Sequence, residues 1–144
     1  DVGRKLLILA RELDLQNEFE EIQIQNLIPE ALREGSAADF LKRLSELDGV
    51  YQNIKDAQGS NEVLRYIGEL SGDLQQDKGK LEVKLISVPA NSALGSLKGS
   101  DSIFEIYTES YDEQPIVIQG AGAGASVTAR GVFGDILRLS EKKL

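Results

Sequence analysis

The sequence contains no cysteine and no histidine among its 144 residues. Without cysteine there can be no disulfide, no thiolate zinc site and no cysteine nucleophile. Without histidine the chain lacks the usual general base of a Ser-His-Asp triad and the commonest metal ligand. Any catalysis must therefore use carboxylates, lysines, hydroxyl groups or a bound cofactor.

Long hydrophobic runs and an excess of basic residues are also missing. No apolar stretch approaches the roughly 20 residues that a membrane-spanning helix requires. Lysine and arginine number 16 against 24 acidic residues, so the net charge is −8, which argues against general binding to a nucleic-acid backbone. We expect neither a nucleic-acid nor a membrane partner. A helix pattern starts at once at Asp1, which is typical of a piece cut from a longer protein.

The N-terminal part of the chain has the periodicity of helices. Asp1 is a good N-cap for a helix that runs to about Glu12. An alternating segment at 22–28 predicts a short strand, and Ser36 with Asp39 resembles a capping box for the next helix. A further helix is predicted from Asp48 to about residue 57. The predicted apolar positions of the first two helices are Val2, Leu6, Leu9, Ala10 and Leu13, then Phe40, Leu41, Leu44 and Leu47.

After residue 61 the pattern changes to strands, with predicted strands at 63–67, 81–88, 102–108 and 115–119 and a last helix at about 127–140. This order predicts an α+β fold: N-terminal helices, a mainly antiparallel sheet of about four to five strands and a C-terminal helix, without a Rossmann domain. We divide the chain into a helical part (1–61), a sheet part (62–119) and a glycine-rich turn with its helix (120–144).

The glycine-rich turn is the most distinctive local pattern. Gly120, Gly122 and Ala125 satisfy the dinucleotide fingerprint G-x-G-x-x-G/A between a predicted strand and a predicted helix. Too few residues follow for the second parallel strand of a Rossmann half, so the turn predicts a backbone approach to a cofactor whose main site lies elsewhere. The alternative is a tight strand–helix junction in which small residues allow close packing.

Asp1 and Lys5 are four residues apart and share a helix face. They form either an ordinary surface ion pair or a site in which Lys5 gives and takes protons and Asp1 orients it. Metal binding is not expected, because acidic residues such as Asp73 and Asp77 lack metal-loop spacing.

Three segments together resemble homoserine dehydrogenase. They are DVGRKLLILARE (1–12), VLRYIG (63–68), and GSDSI (99–103) continuing to QPIVIQGAGAGASVTA (114–129). The resemblance covers essentially the whole chain but only the C-terminal part of that enzyme, whose Rossmann domain precedes this region. Stand-alone enzymes and fusions behind an aspartate kinase both remain open. Gly3, where alanine is usual, and Arg130, where a small residue is common, depart from the family pattern.

The resemblance implies an NADPH- or NADH-dependent interconversion of L-homoserine and L-aspartate 4-semialdehyde. It assigns proton transfer to Lys5, substrate binding to Asp1 and cofactor contact to Gly122 and Gly124, with no metal ligand in this region. It also implies a homodimer through the sheet, a last helix that packs on the Rossmann domain, and a cytoplasmic location, or a plastid in a plant or alga.

This interpretation requires the first helix and the final strand–helix corner to meet at one cleft, and it predicts that the isolated chain is inactive. Two alternatives are a dimerisation module without chemistry and a small effector-binding domain.

Overall fold

The computed structural model describes residues 1–142, and the chain divides into two compact units, Asp1–Pro89 and the segment that begins at Ala90. We describe each unit by itself. The α+β order predicted from the sequence is confirmed, with helices first, strands next and a helix last. The functional roles assigned to 1–61, 62–119 and 120–144 stay predictions.

The first unit contains helices α1–α3, three 3₁₀ turns and strands β1–β3. The helices are α1 (Val2–Glu12), α2 (Ala37–Lys42) and α3 (Asp48–Asp56), the 3₁₀ turns are Phe19–Glu21, Glu30–Leu32 and Leu44–Leu47, and the strands are β1 (Gln23–Ile24), β2 (Glu62–Ser71) and β3 (Lys80–Pro89).

Strand β3 is the centre of a three-stranded sheet in the order β1-β3-β2. Strands β2 and β3 are antiparallel from Glu62↔Pro89 to Ser71↔Lys80, whereas β1 joins β3 in parallel. The strand predicted at 22–28 is therefore wrong in length, because the strand comprises only Gln23 and Ile24. Beyond them the Gln25 side chain accepts a hydrogen bond from the Leu85 amide at 2.8 Å and replaces the next backbone partner.

Helix α1 covers one face of this sheet and forms the core with it. Leu6 and Ala10 are buried together with four other apolar residues, which are Leu15, Ile22, Leu81 and Val83. Gly68 permits this approach, since a Cβ atom there would lie 3.3 Å from Cγ1 of Val2. The contact stripe is narrow. The prediction that Leu9 and Leu13 join it is wrong, because their exposed fractions are 41% and 49%.

The two predicted N-caps have different outcomes. Ser36 caps α2 as predicted, because its hydroxyl oxygen accepts the Asp39 amide at 3.2 Å and the hydroxyl donates to the Asp39 carboxylate at 2.6 Å. Asp1 makes no side-chain cap bond, because its carboxylate pairs with Lys5 instead. The helix predicted through Leu47 ends at Lys42. The backbone leaves the helical conformation at Arg43, whose guanidinium bonds the Ala31 carbonyl.

A buried amide joins the segment after α1 to the β2–β3 hairpin. Asn17 is 4% exposed, its Nδ2 donates to the Gly79 carbonyl at 2.9 Å, and its Oδ1 accepts the Gly79 amide at 2.9 Å. The Asn17 side chain thus supplies the hydrogen-bond partners that another backbone segment would otherwise give to the amide and the carbonyl of Gly79.

We predict that Asn17→Ala lowers the free energy of unfolding by about 2–3 kcal/mol, because it leaves two partly buried backbone groups without their partner. Urea denaturation followed by circular dichroism measures the change. The matched control is Asn61→Ala, at an exposed position, which should shift stability by less than about 0.5 kcal/mol. Equal midpoints for the two variants would show that the amide clip contributes nothing.

The second unit holds a two-stranded antiparallel sheet and one long helix. Strands β4 (Asp101–Ile106) and β5 (Ile116–Ala121) pair from Asp101↔Ala121 to Ile106↔Ile116, and α4 spans Ala125–Glu141. In the part of the chain that the structure describes, the five strands thus form two sheets instead of the single sheet expected. Among residues 1–142, no helix combines the length and apolar content that crossing a bilayer requires.

Candidate active-site residues

Asp1 and Lys5 form an ion pair at the start of α1. The Lys5 Nζ lies 2.8 Å from Oδ2 of Asp1, and the Lys5 amide donates to the Asp1 carbonyl at 3.2 Å. The side chains are 72% and 80% exposed. The predicted pairing at i and i+4 is therefore present, and the ammonium group is open to a ligand. As a surface pair alone it stabilises the helix by no more than about 0.5 kcal/mol.

The first turn of α1 sits close to the segment that follows the helix. Gly3 is buried, and a Cβ atom at this position would lie 3.1 Å from Cδ1 of Ile24 and 3.4 Å from Cε2 of Phe19. Because residue 3 has no side chain, the first turn of α1, which carries Asp1 and Lys5, can lie directly against Ile24 and Phe19.

The glycine-rich turn connects β5 directly to α4. Gly120 and Ala121 still belong to the strand, and Ala125 is the first residue of the helix. Both elements are longer than predicted, since the strand was expected to end at residue 119 and the helix to begin near 127. Only three residues remain for the corner.

Gly122 and Gly124 are required for different reasons. A Cβ atom on Gly122 would lie 1.8 Å from Oγ and 2.8 Å from Cβ of Ser102, so β4 leaves no room for a side chain. Gly124 has φ 127° and ψ 146°, a conformation that is essentially restricted to glycine. Nothing lies within 4 Å of the position its Cβ would occupy. Gly122 thus serves packing within the unit, whereas Gly124 presents bare backbone to open space.

The N-terminus of α4 lies immediately beyond this corner. Thr128 donates from its amide and from its hydroxyl to the Gly124 carbonyl, at 3.1 and 3.0 Å. No side chain caps the helix, and the first-turn amides have no partner within it. These amides and the helix dipole favour an electron-rich ligand group.

The pairing of β5 excludes a Rossmann half within the described residues. Strand β5 is antiparallel to β4, whereas the dinucleotide fingerprint needs a parallel βαβ unit. The expectation that this turn is not self-sufficient for nucleotide binding is consistent with this pairing. Within residues 1–142, no group of three or more acidic side chains is placed to hold a metal ion.

A charged row lies on the face of the first sheet that α1 does not cover. Lys84 contacts Glu69 at 2.7 Å and Glu82 at 3.1 Å, and Lys80 contacts Glu82 at 3.0 Å. Hydrogen bonds from the two lysines hold the pKa of Glu82 below its ordinary value. The Glu82 carboxylate therefore stays ionised at neutral pH.

The sequence did not indicate two features of these sites. Ser102 leaves no room for a side chain at Gly122 because β4 pairs with β5, and no local sequence motif reveals this pairing. The only available signal was that Ser102 belongs to a predicted strand. Ile8, one turn after Lys5, is exposed, although a large aliphatic residue is expected to be buried. The described residues thus form an α+β region with mainly antiparallel strand pairing, and not a parallel nucleotide-binding fold.

The chain belongs to the homoserine dehydrogenase family, whose profile matches residues 1–137. The chain is 44% identical over 142 residues to the chloroplastic bifunctional aspartokinase/homoserine dehydrogenase of Daucus carota. It is 40% identical over 146 residues to the homoserine dehydrogenase of Paracoccidioides brasiliensis. Among solved structures it resembles a Candida auris protein of unknown function, with a TM-score of 0.74 and 37% identity.

The matched region is a small part of each relative. The alignments cover 97% of this chain but 15% of the carrot protein, and 99% of this chain but 38% of the Paracoccidioides protein. The Candida match covers 96% of this chain and 38% of that protein.

Proposed function

We propose that this chain is the C-terminal catalytic and dimerisation region of an oxidoreductase that interconverts L-homoserine and L-aspartate 4-semialdehyde with NADPH or NADH. The reaction belongs to the synthesis of threonine, methionine and isoleucine. The family match over residues 1–137 is the observation that carries the proposal. The exposed Asp1–Lys5 pair supplies the acid group that such a reaction needs.

Lys5 acts as the proton donor in this proposal. The nicotinamide cofactor, when bound, supplies the hydride that reduces the aldehyde carbon. The carbonyl oxygen gains negative charge and takes a proton from the Lys5 ammonium group, which leaves homoserine and a neutral amine. In the reverse direction the amine accepts the hydroxyl proton. Before the proton moves, the positive charge of Lys5 stabilises the developing charge on the oxygen.

Asp1 binds the amino-acid part of the substrate in this proposal. Its carboxylate lies beside Lys5 and is 80% exposed, so it is accessible to the substrate ammonium group. A carboxylate at this position also keeps the lysine side chain directed towards the start of α1.

Gly124 and Gly122 form the part of the cofactor site that this chain contributes. The bare backbone at Gly124 would leave room for a flat nicotinamide ring, because nothing lies within 4 Å of the position that a Cβ atom would occupy. Gly122 acts by keeping the corner close to β4. The nucleotide half of the cofactor lies on a preceding domain, and exposed apolar side chains of α4 would pack on it. These side chains are Val132, Phe133, Ile136 and Leu139.

The homodimer is proposed to form through the sheet of β2 and β3. One face of this sheet is covered by α1, and the other carries Ile67 and Ile86, which are only partly buried. We propose a cytoplasmic location, or a plastid in a plant or alga; the maize and carrot relatives are named chloroplastic.

A dimerisation or effector-binding module is the second candidate. The high exposure of Asp1 and Lys5 favours it, because a pair this open also occurs as an ordinary surface ion pair. In this case Lys5 has no role in turnover.

The test compares the full-length enzyme with the isolated chain. We predict that the full-length enzyme oxidises NADPH when aspartate semialdehyde is added, whereas the 144-residue chain has no turnover because it lacks the nucleotide site. Absorbance at 340 nm measures both. Turnover by the isolated chain, or none by the full-length enzyme, would contradict the proposal. A rise in Tm with threonine but not with nucleotide would favour the effector-binding module.

A further inference from the structure

Helix α1 carries large aliphatic side chains on the same side as Lys5. Its opposite side is buried through Gly3, Leu6 and Ala10. Ile8 is 60% exposed and Leu9 is 41% exposed, although both are large apolar residues. Neither belongs to the core cluster of the first unit or packs against it, so packing in that core does not account for them.

The helical spacing places these two residues beside the lysine. Ile8 and Leu9 follow Lys5 by three and four positions, the separations at which side chains on a helix are neighbours. Side chains on a helix lean towards its N-terminus, so Ile8 and Leu9 lean towards the turn that carries Lys5. Asp1 lies one turn on the other side and is bonded to the ammonium group at 2.8 Å.

We infer that Ile8, supported by Leu9, is a positioning residue for Lys5 in the proposed reaction. Long lysine side chains place their methylene groups along apolar surface and keep the ammonium group outward. The aliphatic surface supports the lysine stem from one side, and Asp1 holds the ammonium group on the other. Lys5 then spends more of its time in the orientation from which it can transfer a proton. This inference depends on the proposed function, because it assigns no role to Ile8 without a catalytic Lys5.

Two substitutions of the same shape and different polarity test this role in the full-length enzyme. Ile8→Val keeps a branched apolar side chain, and Ile8→Thr replaces one methyl group of that valine by a hydroxyl group. We expect Ile8→Val to stay within about twofold of the wild-type kcat. Ile8→Thr should lower kcat about five- to tenfold. This is a small part of the roughly 10²- to 10⁴-fold rate increase that a general acid contributes. The KM for aspartate semialdehyde and Tm should not change, because Ile8 is already exposed.

The matched control is Val50→Thr, which replaces a methyl group of valine by a hydroxyl group at a 43% exposed position on α3. It should leave kcat, KM and Tm unchanged. Equal kcat values for Ile8→Val and Ile8→Thr would overturn the inference, and so would a loss of kcat that follows a matching fall in Tm. If the wild-type enzyme has no turnover, the proposed function itself has failed. If the wild-type enzyme turns over and Ile8→Thr has the same kcat, only the positioning role has failed.

Discussion

Replacing Lys5 by alanine in the full-length enzyme is expected to lower kcat by about 10²- to 10⁴-fold, the range that a positioned general acid contributes. In the proposed reaction, the substitution removes both the proton donor and the positive charge next to the reacting oxygen. It should leave folding nearly intact, because the Lys5 side chain is 72% exposed and its pair with Asp1 contributes little to stability. Steady-state kinetics in both directions, with Tm and the oligomeric state measured on the same sample, check the prediction.

Two further variants separate chemistry from charge and from surface structure. Lys5→Arg keeps the positive charge, but a guanidinium group releases its proton far less readily, so kcat should remain low. Lys42→Ala is the matched control: Lys42 is also a highly exposed helical lysine, paired with Asp39 at 3.3 Å. It should have wild-type kcat. Unchanged kcat in Lys5→Ala would instead support the module without catalysis.

Much of the fold was predictable because its signals are local. The N-cap at Ser36 and the strand patterns that became β2 and β3 depend on residues close together in sequence, and both appear in the structure. The length of β1 could not be predicted. It depends on the Gln25 side chain, which takes a backbone position opposite Leu85, sixty residues away.

The helix stripe shows where periodicity alone is insufficient. Leu9 and Leu13 have the same spacing from their neighbours as residues of a wide apolar face, but α1 contacts the sheet through Gly3, Leu6 and Ala10. Periodicity gives the side of a helix that is apolar; the width of the buried stripe depends on the small residues opposite it, here Gly68.

The two glycines of the corner, Gly122 and Gly124, also differ in whether local sequence predicts their role. A motif between strand and helix predicted bare backbone, and Gly124 has it. The restriction on Gly122 depends on the register of β4 against β5, which places Ser102 next to the turn. Sequence spacing could not supply this register, because the hairpin connection between residues 106 and 116 has no short turn motif that fixes it.

Replacing Gly122 by alanine is expected to destabilise the second unit by about 1–3 kcal/mol, the usual cost of placing an extra methyl group in an occupied space. The new Cβ would be 1.8 Å from Oγ of Ser102. Rotation of the hydroxyl relieves that contact but leaves the Ser102 Cβ at 2.8 Å, so β4 must move. Because the same backbone leads into Gly124, we also expect weaker NADPH binding by the full-length enzyme. Thermal unfolding and nucleotide titration measure the two effects.

A second substitution and a neighbouring glycine make the Gly122 prediction specific. Ser102→Gly removes both atoms that the alanine would strike, so Gly122→Ala should cost less in that background, and the difference is the coupling between the two sites. Gly120→Ala adds the same methyl group two residues earlier, where nothing lies within 4 Å, and should be nearly neutral. If Ser102→Gly restores stability and nucleotide affinity together, the strand contact sets the geometry of the corner. If the cost of Gly122→Ala is the same in both backgrounds, steric contact with Ser102 is not the reason for glycine at this position.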